Sequence, residues 1–143
     1  MESVNIKSTF ETLDVWKESR ELRKKNFELI KTFPFDEEHK LIERMTIVSR
    51  AITSDIAQGY GRYHYKENIQ FCRQSRGSLY ELLDNFTVAL DENYISEETF
   101  EEFKSDIFKI IKNINGYIDY LKKRKTEKLL SSRRYNQNNR LED

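Results

Sequence analysis

Apolar residues recur along this chain at mixed spacings of three and four, in four stretches separated by turn-forming residues, the signature of amphipathic helices. Between Leu13 and Phe33 the stripe is Val15, Trp16, Leu22, Phe27, Leu29, Ile30 and Phe33, set among Lys, Arg and Glu. Pro34 has no amide to donate and disfavours helical geometry in the residue before it, so the first helix should end near Thr32. A second helix is expected to open around Asp36, whose carboxylate can cap free amides, and to carry Leu41, Met45, Val48, Ile52 and Ile56. Gly59 and Gly61 bracket Tyr60, which predicts a turn there, where φ can be positive without penalty, before the chain re-enters a helix near Tyr65. The third helix is predicted from Lys66 to Asn93, with Ile69, Cys72, Leu79, Leu82, Phe86 and Leu90 inward. Gly77 in its middle is expected to let a neighbouring backbone approach closely. Ser96 should cap the fourth helix. Phe100, Phe103, Ile107, Ile110, Ile114, Tyr117 and Leu121 then alternate at three and four, the spacing of a left-handed coiled-coil seam.

Four such helices joined by short connections most simply make an all-α, antiparallel up-down-up-down four-helix bundle. The organisation expected is an N-terminal arm over 1–12, the bundle over 13–125, and a polar, basic, disordered tail over 126–143, where the periodicity stops and Asn136 to Asn139 form a polar run.

Composition narrows the function. Hydrophobic residues make up 37% and charged residues 35% of the 143, with four Gly and one Pro, which suits long solvated helices. Lys and Arg total 25 and Asp and Glu total 25, so no overall field draws the monomer to nucleic acid or an anionic membrane, and any such binding needs a local patch. Cys72 is the single cysteine, which excludes an internal disulfide and a thiol metal cluster. No signal-like segment opens the chain, and no run free of charged residues exceeds six. The expected location is cytoplasmic, with no membrane association.

Catalytic chemistry finds little support. A carboxylate-bridged di-iron centre in a bundle needs a Glu-x-x-His pair on each of two helices plus two further inward glutamates. Only His39 and His64 are present, and His64 has no acidic residue three before it. Cys72 lies on an apolar stripe, where a thiol packs as a small hydrophobe and its pKa rises. Gly59-Tyr60-Gly61-Arg62 lacks the preceding strand and the Gly-Lys-Ser/Thr ending of a phosphate loop, although Arg62 is placed to hold an anion. No metal, no cofactor and no enzymatic activity are expected.

Two basic clusters remain. Lys17, Arg20, Arg23, Lys24, Lys25 and Lys31 lie on helix one, and Lys122, Lys123, Arg124, Lys125, Lys128, Arg133 and Arg134 lie near the C-terminus. The plain reading is a solvated helix face and favourable charge at a helix C-terminus. The sharper one is nucleic-acid contact: copies arranged about a symmetry axis would gather these cations into a basic ring that a neutral monomer conceals.

Certain segments also carry a resemblance. Leu13-Asp14-Val15-Trp16, Phe33-Pro34, Asp55-Ile56-Ala57-Gln58-Gly59-Tyr60-Gly61-Arg62 and Arg76-Gly77-Ser78-Leu79-Tyr80-Glu81-Leu82 resemble, in order and separation, the bacterial four-helix-bundle proteins encoded in intervening sequences of 23S rRNA genes. The resemblance spans roughly Phe10 to Lys123. It implies a homopentameric, barrel-like ring and no catalysis. That family is also similar to the accessory variability protein of diversity-generating retroelements, which implies RNA, DNA or a reverse transcriptase as partners. This chain departs from the family in having Asp55 and Gln58 where Asn and Glu are usual, and Thr46 and Ile47 where paired Arg often stand. Arg44 and Arg50 flank that gap, and apolar Ile47 suits a subunit contact.

Asp55, Gln58, Arg76, Ser78 and Glu81 fall near the seams of helices two and three, where unpaired burial is expensive, and are expected to share a hydrogen-bond network. Phe10, Trp16, Tyr60, Tyr63 and Tyr65 are expected at subunit contacts. The function expected is a homo-oligomeric, pentameric scaffold or adaptor that meets nucleic acid through Lys17, Arg20, Arg23, Lys24, Lys25, Arg62, Lys122, Lys123, Arg124 and Lys125. The alternative is a structural protein-interaction module with no nucleic-acid affinity.

Overall fold

In the computed structural model residues 8–34 and 38–140 are described, the side chains of 38 and 39 excepted. A single 3-10 turn, Phe10–Thr12, opens the fold, with the Glu11 amide donating to Thr9 Oγ1 at 3.2 Å. Leu13 is extended, and helix α1 follows over Asp14–Ile30. Its end agrees with the restriction Pro34 imposes: the Thr32 hydroxyl donates to Leu29 O at 2.7 Å and the Phe33 amide to Ile30 O at 3.2 Å. The expected Asp36 cap lies outside the described residues. A π turn, Glu38–Ile42, leads into α2, Glu43–Gly61; α3 is Tyr65–Asp91 and α4 is Glu97–Arg140. Ser96 caps α4 as expected, its Oγ accepting from the Thr99 amide at 3.1 Å.

Side-chain pairings fix the direction of each helix against its neighbours. Arg23 meets Thr53 while Asn26 meets Ser49, so α1 and α2 run oppositely. Ser75 reaches Ile52 while Glu81 reaches Arg44, reversing α3 against α2. Asn68 pairs with Tyr117 and Phe86 with Phe103, and Glu18 with Asn113 and Lys25 with Asp106, which sets α4 antiparallel to both α3 and α1. The up-down-up-down bundle follows.

All the expected inward aliphatic residues of α2 and nearly all those of α3 and α4 are buried; Leu90, Phe100 and Tyr117 pack at the margin. On α1 the buried stripe is Val15, Ser19, Leu22, Asn26 and Ile30, while Phe27 is left 49% exposed. Two polar side chains thus occupy core positions. Ser19 Oγ donates to Val15 O at 2.6 Å, and Asn26 Nδ2 donates to Met45 O at 3.2 Å and Ser49 Oγ at 3.3 Å.

Two glycine expectations exchange places. No glycine among the described residues takes positive φ; Tyr63 (φ 59) and Asn93 (φ 62) do. Helix α2 runs through Gly59 to Gly61, and the turn falls at Arg62 to His64. Gly59 is where helices touch: a Cβ there would lie 2.8 Å from Phe71 Cβ and 2.9 Å from Asn68 Oδ1. At Gly77, the expected contact point, a Cβ would meet nothing of another helix within 4 Å. A glycine's use depends on which face of the helix the neighbour takes, and local sequence does not show that.

The last buried residue is Leu121. From Thr126 to Arg140 every side chain is exposed and adds nothing to the core, and over this stretch, expected as a disordered tail, the backbone continues as helix.

Candidate nucleic-acid interface

Helix α1 presents cations to both flanks, and the structure treats the two flanks differently. Toward α4, Lys25 Nζ meets Glu102 Oε1 at 2.8 Å and Asp106 Oδ2 at 2.6 Å and stands 4.8 Å from the Phe103 ring centroid. Burial alone would lower the Lys25 pKa, but the hydrogen bonds it donates to Asp106 and Glu102, with the charge of those carboxylates, outweigh it and raise the value. Lys25, expected with the nucleic-acid residues, is thereby tied to α4.

Toward α2 a groove of about 400 Å³ opens, lined by Arg23, Lys24, Asn26, Phe27, Glu28, Ile30, Thr46, Ser49 and Arg50. Arg23 Nη1 donates to Thr53 Oγ1 at 2.7 Å. Lys24 has only a surface contact with Glu21 at 3.8 Å, and the Arg50 side chain makes no hydrogen bond or ion pair among the described residues. One turn earlier on the same helix, Arg20 lies 5.7 Å from the Trp16 ring centroid. Aromatic and cationic side chains alternate along this edge, from Trp16 through Arg20, Arg23 and Lys24 to Phe27 and Lys31, a pattern suited to stacked bases with a phosphate backbone beside them. At the groove floor Asn26 is fully buried, and its Oδ1 has no hydrogen-bond partner among the described residues. An orphaned buried acceptor costs roughly 1–3 kcal/mol, an expense that a donor from outside would remove.

The second cluster lies at the opposite end of α4. Lys122 and Lys125 face Lys66 and Arg73 of α3 across a groove that also contains Glu67 and Leu129. Lys128 stands 6.0 Å from the Tyr65 ring centroid, and Arg124 contacts Glu127 at 3.4 Å. Lys123 and Lys17 are exposed. Arg62 stands 5.4 Å from the Phe71 ring centroid and 4.0 Å from Glu67. Lys66 and Arg73 join this patch only because α3 starts where α4 leaves the bundle, a juxtaposition with no counterpart in the linear sequence.

The expected polar network takes another form. Among the described residues no hydrogen bond links any two of Asp55, Gln58, Arg76, Ser78 and Glu81. Gln58 reaches Ser54 within its own helix (2.9 Å), Arg76 reaches Asn115 on α4 (2.7 Å) and Glu81 receives Arg44 (3.2 Å). Asp55 is half-buried, and burial raises its pKa. The polar contacts inside the bundle are instead Asn26 with Ser49, Ser75 with Ile52 O, and Asn68 with Tyr117 and Cys72. Their signal in the sequence is a polar residue standing at stripe spacing, as Ser19 and Asn26 do between Val15 and Ile30.

Of the aromatics expected at subunit contacts, Phe10 packs edge-on against Trp16 at 5.0 Å, Tyr60 Oη pairs with Ser8, and Tyr65 packs against the core. Tyr63 alone stands open, 85% exposed. Cys72 is enclosed, its thiol pushed up to about 12 by burial, while His64 is exposed, so the two do not meet; the His39 side chain lies outside the described residues. Among the described residues no group of three His, Cys, Asp or Glu is placed to hold a metal, and no helix is long and apolar enough to cross a membrane.

No curated protein matches this chain. The model of one family, described as 23S rRNA-intervening sequence protein, matches residues 11–116, which takes in α1, α2, α3 and the packed first half of α4. With most of its length so matched, the chain belongs to the 23S rRNA-intervening sequence protein family.

Proposed function

We propose that this protein is a non-catalytic scaffold or adaptor of the cytoplasm that works as a homo-oligomer, a pentamer in the reading drawn from its family, and meets RNA or DNA through its cationic surfaces. One observation carries this reading. Helix α4 continues for 19 residues past Leu121, the last residue it buries, and those residues hold eight Lys and Arg against one acidic residue, Glu127. At about 1.5 Å per residue the extension reaches roughly 28 Å. A helix that buries nothing gains little for the fold and is marginal in water by itself, whereas such charge density answers a polyanion. Self-association is supported by apolar side chains the monomer leaves outside: Ile47, 59% exposed, shares a groove between α2 and α3 with the exposed Val88.

Anisotropy of a labelled single-stranded RNA titrated with the full chain at several salt concentrations tests the nucleic-acid half of this reading. The expected result is a log–log salt slope of about −0.7 per phosphate contacted. Lack of binding at low salt would leave the alternative, a protein-interaction module. For the assembly half, light scattering at micromolar concentration should report a multiple of 17.3 kDa, reduced by Ile47→Glu, and a monomeric wild type refutes it.

A further inference from the structure

The cations of α1 meet carboxylates of another helix on one flank only, among the described residues. Toward α4 two carboxylates hold Lys25. Toward α2 the sole acidic lining residue of the groove among the described residues is Glu28, and Glu28 is engaged by Lys31 at 3.0 Å. Arg23 and Arg50 therefore border the groove with no ion pair among the described residues, and Lys24 has only its exposed contact with Glu21 at 3.8 Å. Its floor is Asn26, whose Nδ2 is spent on Met45 O and Ser49 Oγ and whose Oδ1 lacks a donor among the described residues. Its rim is Phe27, with Lys31 Nζ 4.4 Å from the ring centroid, where a flexible exposed side chain is easily displaced.

We infer that this groove binds one phosphorylated nucleoside, either a free nucleotide or a single unit of an unpaired strand. Arg23, Lys24 and Arg50 take the phosphate, Phe27 stacks the base, and the amino group of the base is directed toward the Asn26 floor. The inference rests on the nucleic-acid reading above and adds which strand form is taken and where. A groove of about 400 Å³ has the size of a small-ligand site. Stacking on Phe27 requires an accessible base face, which a duplex keeps inside its own stack, so a single strand is the form that fits.

The test uses the full chain, a labelled eight-nucleotide oligoadenylate, a duplex of equal length, and adenosine monophosphate followed through the side-chain amide NMR signals of Asn26. Phe27→Ala should weaken the single strand about five- to 150-fold and leave duplex binding unchanged. Arg50→Gln should cut the salt slope by about 0.7. Both residues are exposed, and an unchanged thermal midpoint verifies the fold. Adenosine monophosphate that shifts the Asn26 signals while the oligomer is insensitive to both variants identifies the free nucleotide as the ligand. If neither variant affects the oligomer and the nucleotide shifts nothing, while Arg133→Gln/Arg134→Gln weakens binding, the groove assignment falls and the basic-helix reading stands. A wild type that binds neither oligomer nor nucleotide overturns both.

Discussion

Exchanging the two interior glycines for alanine should move stability in opposite directions. Each substitution gains about 1 kcal/mol of helix propensity, since both positions lie within helices. At Gly77 the new Cβ would meet nothing of another helix within 4 Å, so the gain is kept and Gly77→Ala should stabilise by up to about 1 kcal/mol. At Gly59 the new Cβ would lie 2.8 Å from Phe71 Cβ and 3.2 Å from Asn68 O, positions fixed by the α3 backbone, and 2.9 Å from Asn68 Oδ1. Relief requires α2 and α3 to separate and Asn68 to shift, which disturbs its 3.2 Å bond to Tyr117 Oη. Overpacking of this kind costs about 1–3 kcal/mol and the lost hydrogen bond about 1 kcal/mol. Set against the propensity gain, the net for Gly59→Ala is a loss of about 1–3 kcal/mol. For a chain of 143 residues each kcal/mol moves the thermal midpoint by about 3–5 °C. Circular dichroism melts should place Gly77→Ala above and Gly59→Ala below the wild type by several degrees. A Gly59→Ala protein as stable as Gly77→Ala would refute the close approach of α2 to α3.

Lys25→Met should destabilise by about 0.5–1 kcal/mol in low salt and less in high salt, because its two ion pairs are partly exposed. The Lys25 pKa is raised, so the contribution is whole below the unfolded lysine value near 10.4 and disappears as pH climbs through the folded one; urea melts at pH 7 and pH 11 check this. Asp55→Asn should stabilise at neutral pH, because burial opposes the Asp55 carboxylate, and the advantage should vanish in acid, where Asp55 is protonated; melts from pH 3 to 7 read it. Cys72, enclosed and with a thiol pushed up to about 12, should resist a thiol reagent at pH 8 until denaturant exposes it, and rapid modification of the native protein would contradict its burial. Truncation after Lys125 should leave the unfolding free energy within about 0.5 kcal/mol of the full chain, since no core residue among the described ones is removed, while lowering RNA affinity and salt slope.

Periodicity by itself determined the class and count of the elements, because a 3–4 apolar repeat has one economical burial, against other helices. It also determined the fourth seam from Phe103 to Leu121 and the Ser96 cap, since both depend on residues within a few turns of each other. Motif order along the chain was enough to point to the family that the matched residues 11–116 then showed. Pairing across helices was decided only by the tertiary structure. Asn26 fills a core position because α2 offers Met45 O and Ser49 there, and Ser19 does so by turning its hydroxyl back onto Val15 O of its own helix, whereas the polar residues expected to join one another disperse to Ser54, Asn115 and Arg44. The same holds for charge: Lys24 and Lys25 are adjacent and chemically alike, yet one faces an open groove and the other two carboxylates more than 75 residues away. Local sequence sets a side chain's angle about its own helix axis, but its neighbour is set by how the helices turn toward one another, which depends on the whole core at once.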